Sequence, residues 1–144
     1  MNIASLLASK GRTVVTIRPE HTIRQALGLL AQHNIGVIVV VEETNRPVGI
    51  ISERDIVREA VRNERLFAEA VSSIMTRDVV IAQPQDDLNS VGNTMTERRI
   101  RHLPVMDEGK LVGIVSIGDV VKAQRDRYLG EVETLQTQIL GERT

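Results

Sequence analysis

Apolar and polar positions follow two periods along this chain, and the same order of periods occurs twice. Residues 14–17 form a short β-branched run that Pro19 closes. From Thr22 onward, Ile23, Ala26, Leu27, Leu30 and Ala31 recur at the spacing of one helical face. Thr22, with Gln25 three residues on, predicts a capping box at the start of that helix. The unbroken apolar run 37–41 predicts a strand buried on both faces, as in the middle of a sheet. A turn at Thr44-Asn45-Arg46 leads to a third strand over 48–51, and a second helix starts at Ser52 with Ile56, Val57, Ala60 and Val61 as its apolar positions.

Sliding the chain by 65 places Val14-Val15 on Val79-Val80, Pro19 on Pro84, Val40 on Val105 and Glu43 on Glu108. A one-residue deletion in the turn changes the offset to 64, and Val48-Gly49-Ile50, Ser52, Asp55 and Val57 then meet Val112-Gly113-Ile114, Ser116, Asp119 and Val121. The second copy predicts a strand over 79–81, and a helix capped by Asp87 with a stripe of Leu88, Val91 and Met95. Strands over 103–106 and 111–115 follow, then a helix from Ser116 carrying Val120, Val121 and Ala123. The unit is β-α-β-β-α, present twice. A unit of about 50 residues buries too little surface to be comfortable alone. The expected fold is therefore α/β, with two repeats packed through their sheets in pseudo-two-fold symmetry and clefts between them. Its segments are a helix or arm over 1–13, repeats over 14–63 and 79–128, a linker over 64–78 and a C-terminal helix over 129–144. In that last helix Leu129, Val132, Leu135 and Ile139 form a short stripe suited to a second subunit.

Composition narrows the function. Lys plus Arg is 18 and Asp plus Glu is 19, a net charge of −1, which argues against a general nucleic-acid coat. Tyr128 and Phe67 are the only aromatics, too few for a platform that stacks single-stranded bases. With no Cys, thiol nucleophiles and Cys-ligated metals are excluded, and His21, His33 and His102 are scattered. The first ten residues do not read as a signal peptide, and no apolar run approaches the roughly 18–20 residues of a membrane span, so a cytoplasmic protein is expected. No Ser/His/Asp trio, Gly-rich phosphate loop or metal set stands out, so no enzyme is expected.

The chemistry-bearing signal is Val48-Gly49-Ile50-Ile51-Ser52-Glu53-Arg54-Asp55 and its echo Val112-Gly113-Ile114-Val115-Ser116-Ile117-Gly118-Asp119. Each strand runs into a helix N-terminus with a hydroxyl and a carboxylate three residues apart. Such a pair can be a capping box alone. The same end also offers free N–H groups to an anion, and its carboxylate can accept from two vicinal hydroxyls.

With these two in-register copies the chain resembles a tandem cystathionine-β-synthase (CBS) domain pair over about 14–128, and more narrowly the small stand-alone bacterial CBS-pair proteins. The resemblance implies adenine nucleotides (AMP, ADP, ATP) or NAD(H), and sometimes S-adenosylmethionine, in the clefts between repeats, and a homodimer. It places ribose on Asp55 and Asp119 with Ser52 and Ser116. It places the base mainly against the backbone of Thr16 and Ile17 and of Val80 and Ile81, and also against Met75 and Thr76 of the linker. Phosphate would fall to Arg101 and His102, ahead of the second Leu-Pro-Val strand, with Arg54 as a further cation. Arg98 and Arg99 are expected only to complement a helix C-terminus, and Lys10-Gly11-Arg12 to be a loop.

The copies also differ. Gly118 stands where Arg54 does, and Gly36-Val37 where Arg101-His102 does, so the two clefts should not be equivalent. The expected function is a non-enzymatic nucleotide-sensing module that regulates an unknown partner, with no metal beyond Mg²⁺ accompanying ATP. The alternative is a structural dimerisation module with vestigial clefts.

Overall fold

Local sequence sets where each element starts. In the computed structural model, which describes residues 1–142, the helix α2 (Ile23–His33) opens on the expected capping box. The Thr22 N–H donates to Gln25 Oε1 at 2.8 Å and the Gln25 N–H to Thr22 Oγ1 at 3.1 Å. Asn34 ends that helix in the left-handed region at φ 52°. Ahead of α2 lie α1 (Ile3–Lys10) and β1 (Thr16–Ile17); after it come β2 (Val37–Val41), β3 (Pro47–Ser52) and α3 (Glu53–Ala60). Two 3₁₀ turns, Leu66–Ala68 and Val71–Ser73, occupy the linker. The second repeat contains α4 (Leu88–Arg98), β4 (His102–Asp107), β5 (Lys110–Ser116) and α5 (Ile117–Glu142). The stretch expected as a separate helix from 129 is the distal part of α5, and its last two residues lie outside the described residues.

The first sheet has the order β1-β2-β3, with β1 parallel and β3 antiparallel to β2. The all-apolar β2 is its middle strand, and Ile38, Val39 and Val40 are fully buried. Among the described residues the second sheet has only β4 and β5, so the strand expected over 79–81 does not form. A single parallel bridge at Ala82 remains: its N–H donates to the Pro104 carbonyl at 3.0 Å and its carbonyl accepts from the Met106 N–H at 2.9 Å. The cause is Pro104. Its counterpart Val39 donates its N–H to the Val15 carbonyl at 3.3 Å, and proline has no N–H with which to bind Val80 in the same way.

Two cores result, and their membership crosses the repeats. Ile3, Leu6 and Leu7 of α1 are buried with Leu88, Met95, Leu103 and Val115 of the second repeat. Leu66, Val71 and Met75 of the linker are buried with Ile23, Leu30, Ile38 and Ile51 of the first. Each repeat is thus completed by the segment that precedes the other one. Backbone bonds fix both seats in the same pattern. The Ile3 N–H donates to the Asp86 carbonyl at 3.0 Å, and the Ala4 N–H to that of Pro84 at 2.8 Å. Equivalently, the Val71 N–H donates to His21 at 2.7 Å and the Ser72 N–H to Pro19 at 3.0 Å.

The glycine of each Val-Gly-Ile motif is where the crossing segment lies on its strand. A Cβ on Gly49 would stand 2.5 Å from Met75 Sδ and 3.1 Å from the Thr76 carbonyl oxygen, and one on Gly113 would stand 2.7 Å from Leu7 Cδ2.

Candidate functional site

The first Ser-x-x-Asp pair is a capping box. The Asp55 N–H donates to Ser52 Oγ at 3.1 Å, and the Ser52 N–H donates to Asp55 Oδ2 at 3.2 Å. Both bonds hold Asp55 at the positive end of α3, half-buried, while no protein donor among the described residues takes its other carboxylate oxygen. The capping role and a binding role therefore use different atoms of one side chain.

A cavity of about 700 Å³ opens in front of this helix end, within the size range of small-ligand sites. Ser52, Arg54, Asp55 and Arg58 line it from the first repeat, and Thr76, Asp78 and Val80 from the linker and the entrance to the second repeat. Arg99, Arg101 and His102 line it from the second repeat. The left-handed Arg99, at φ 56°, ends α4 and sends the chain from the helix into β4 along the cavity wall. Four arginines and one histidine thus face three carboxylates (Glu53, Asp55, Asp78). Among the described residues none of the four guanidiniums is in an ion pair. Unpaired guanidiniums around one cavity suit a multiply charged oxyanion.

The residues expected at the site are thus divided. Ser52, Asp55, Arg54, Arg101, His102, Thr76 and Val80 come together in one cavity. Ile17 and Met75 are side chains of the first core. Thr16 and Ile81 border other surface depressions, Thr16 beside Arg12 and Lys110, Ile81 beside Gln83 and Met106. Met75 nevertheless shapes the site through backbone, because it delivers Thr76 to the edge of β3. There the Ile50 N–H donates to the Thr76 carbonyl at 3.0 Å and the Thr76 N–H to the Ile50 carbonyl at 2.8 Å. Arg99, expected only to complement a helix end, also lines the cavity, as does Arg58. Their signal in the sequence was proximity: Arg99 is two residues from Arg101, and Arg58 is one helical turn beyond Arg54.

Ser116 and Asp119 lie outside this cavity and form the second box. The Asp119 N–H donates to Ser116 Oγ at 3.0 Å and the Ser116 N–H to Asp119 Oδ2 at 2.9 Å. The same oxygen takes a third partner, the ammonium of Lys10 from the end of α1. Lys10 Nζ also donates to the Ile114 carbonyl at 2.6 Å. Partial burial pushes the Asp119 carboxyl up, but Lys10 and the Ser116 N–H together hold it below its ordinary value of 3.8. His102 sits opposite Ser116 in the β4–β5 ladder, so it lies between the second box and the cavity. Burial lowers its pKa below 6.5; the charges of Lys10 and Arg101 lower it further, and Asp119 opposes them.

Comparison with known proteins agrees with this architecture. The family model of the CBS domain matches twice, at residues 10–62 and 71–126, and the chain belongs to that family as a tandem pair. It is 36% identical over 111 residues to the CBS domain-containing protein YhcV of Bacillus subtilis, a match covering 77% of this chain and 79% of that one. Its fold is similar to that of the CBS-domain containing protein ATU1752 from Agrobacterium tumefaciens. The TM-score is 0.80 with 41% identity, covering 86% of this chain and 99% of that one. It is also similar to the CBS domain pair of protein MJ0100, solved in complex with 5-methylthioadenosine and S-adenosyl-L-methionine. There the TM-score is 0.78 with 26% identity, covering 88% of this chain and 98% of that one. Among the described residues no helix is long and apolar enough to cross a membrane.

Proposed function

We propose that this CBS pair is a non-enzymatic regulatory module that binds an adenine nucleotide (AMP, ADP, ATP or NAD(H)) in the cavity between Asp55 and Arg101-His102. One observation carries the reading. A carboxylate with a free oxygen on the first repeat and a group of unpaired cations on the second line the same cavity of about 700 Å³. Asp55 accepts from the vicinal hydroxyls of a ribose, and Arg54, Arg101 and His102 take the phosphates. Ile50, Val79, Val80 and Ile100 supply an aliphatic wall for the base, so the lack of aromatics is no obstacle. The structural neighbour with adenosyl ligands supports an adenosine moiety. The surplus of arginine in this chain favours a phosphorylated adenosine over a cationic sulfonium.

A ligand touching both repeats shifts their arrangement by its differential affinity for the two arrangements, which is how such a module signals to a partner protein. We place it in the cytoplasm as a homodimer. A thermal-shift panel with AMP, ADP, ATP, NAD(H) and S-adenosylmethionine tests the reading. Ligand at 100 times Kd should add about 2.7 kcal/mol of stability. No shift with any of them would favour the second reading, a dimerisation module with vestigial clefts, which the Lys10–Asp119 contact supports for the second box.

A further inference from the structure

Superposing the two repeats by their offset puts Lys10-Gly11 on Met75-Thr76. Both pairs end a segment that crosses to the other repeat and lies beside a Val-Gly-Ile strand. At the first repeat the chain there is extended, and the Thr76 backbone binds Ile50 while the Met75 side chain enters the core. At the second repeat α1 stays helical through Lys10 and ends on Gly11, whose φ of 104° suits only glycine and whose N–H returns to the Leu7 carbonyl at 2.8 Å. Backbone therefore does not run along β5. A side chain does its work: the Lys10 ammonium takes the Ile114 carbonyl and goes on to the Asp119 carboxylate.

The geometry points to Lys10 as a built-in occupant of the second Ser-x-x-Asp box. Its ammonium holds the carboxylate that a ligand's hydroxyls would need, so the Asp55 cavity fills first and the second box fills only when the end of α1 releases Lys10. This rests on the reading of both boxes as hydroxyl-binding. Two features make it a latch rather than a fixed strut. The side chains keep 32% and 24% of their surface exposed, so the pair is weak enough to be displaced. Leu7, one turn before Lys10, is also the residue seated on Gly113, so release of Lys10 is felt by the packing of α1 on its strand.

The chain has three lysines, Lys10, Lys110 and Lys122, so trace acetylation read by mass spectrometry has internal standards. Without any nucleotide, Lys10 should react about two- to five-fold more slowly than the other two, and Asp119→Asn should remove the difference. Equal rates in the unsubstituted protein, or protection that survives Asp119→Asn, overturn the latch. Calorimetry with AMP supplies the second arm. The unsubstituted chain should bind one equivalent, and Lys10→Met, which keeps the aliphatic stem, should gain a second. Two equal sites before substitution, or weaker binding after it, would make Lys10 a ligand contact or a bystander and overturn the proposal. Protection of Lys10 with none of AMP, ADP, ATP, NAD(H) or S-adenosylmethionine bound by either protein would instead overturn the hydroxyl-binding reading of the boxes, and the gating with it, while the contact itself stood.

Discussion

The boxes at Ser52-Asp55 and Ser116-Asp119 make the same two hydrogen bonds to within 0.3 Å, yet one faces a cavity and the other an ammonium. Helix capping explains why both boxes exist, and it cannot explain their difference, because the difference lies in what a distant segment delivers. Thr76 brings backbone to the edge of β3 and leaves Asp55 open. Lys10 brings a charge to the edge of β5 and covers Asp119. A repeated motif therefore identifies a competent position, and the segment crossing from the other repeat decides its use.

Four experiments would break or sharpen that comparison. The largest effect is expected where a crossing segment anchors. Ile3 is fully buried in the second core, so Ile3→Ala should cost about 2–5 kcal/mol in chemical denaturation. An effect below 1 kcal/mol would show that α1 is dispensable to the second repeat.

Next comes the binding test. Asp55→Ala should weaken AMP by about 10- to 100-fold in calorimetry, the worth of about one charge-assisted hydrogen bond, with the fold checked by circular dichroism. Asp119→Ala should leave the first equivalent within about two-fold, since that box lies outside the cavity. Equal losses from both would mean that the two boxes serve one ligand.

The glycines offer a finer contrast. A methyl on Gly49 meets Met75 and the Thr76 backbone, whereas the nearest atoms to one on Gly113 belong to the flexible end of Leu7. Gly49→Ala should cost about 1–3 kcal/mol and Gly113→Ala distinctly less, as read by urea midpoints. The reverse order would place the rigid crossing on the other repeat.

The smallest effect is in pH. His102 has its pKa lowered by burial and by the nearby Lys10 and Arg101, so in the free protein it is mostly neutral at pH 7. A bound phosphate would favour the imidazolium, so binding takes up a proton and affinity rises as pH falls below about 7. His102→Gln should remove that part of the slope; an identical slope in both proteins would take His102 off the phosphate. The same lowered pKa acts on stability. Below about 6.5 the unfolded chain binds more protons at His102 than the folded one, so this group's share of stability declines as pH falls through its folded pKa.

Much of this architecture could be read from local pattern. The capping boxes, the helical stripe of α2 and the central strand 37–41 are short-range features, and the repeat doubled their weight. The inequality of the two halves was also visible, in Gly118 against Arg54 and Gly36-Val37 against Arg101-His102. Three findings were harder to read, two because they depend on residues far along the chain and one because it depends on a backbone turn. Pro104 reads as an ordinary strand residue until Val39 shows which N–H is missing. Arg99 reads as a helix-end charge until its left-handed turn puts it on the cavity wall. Lys10 reads as part of a loop because its partner Asp119 is 109 residues away, and no periodicity spans that distance.

The crossed seating of the segments also orders events during synthesis. The residues of α1 are made first, but the core that receives Ile3 and the carboxylate that receives Lys10 belong to residues 82–123. At ribosomal speeds of about 5–20 residues per second, α1 stays exposed for roughly 5–25 seconds with its apolar face unburied. The first repeat suffers no such delay, because the linker that completes it emerges directly behind it. The first repeat can therefore close while residues 82–123 are still being made, and α1 docks only once they have emerged.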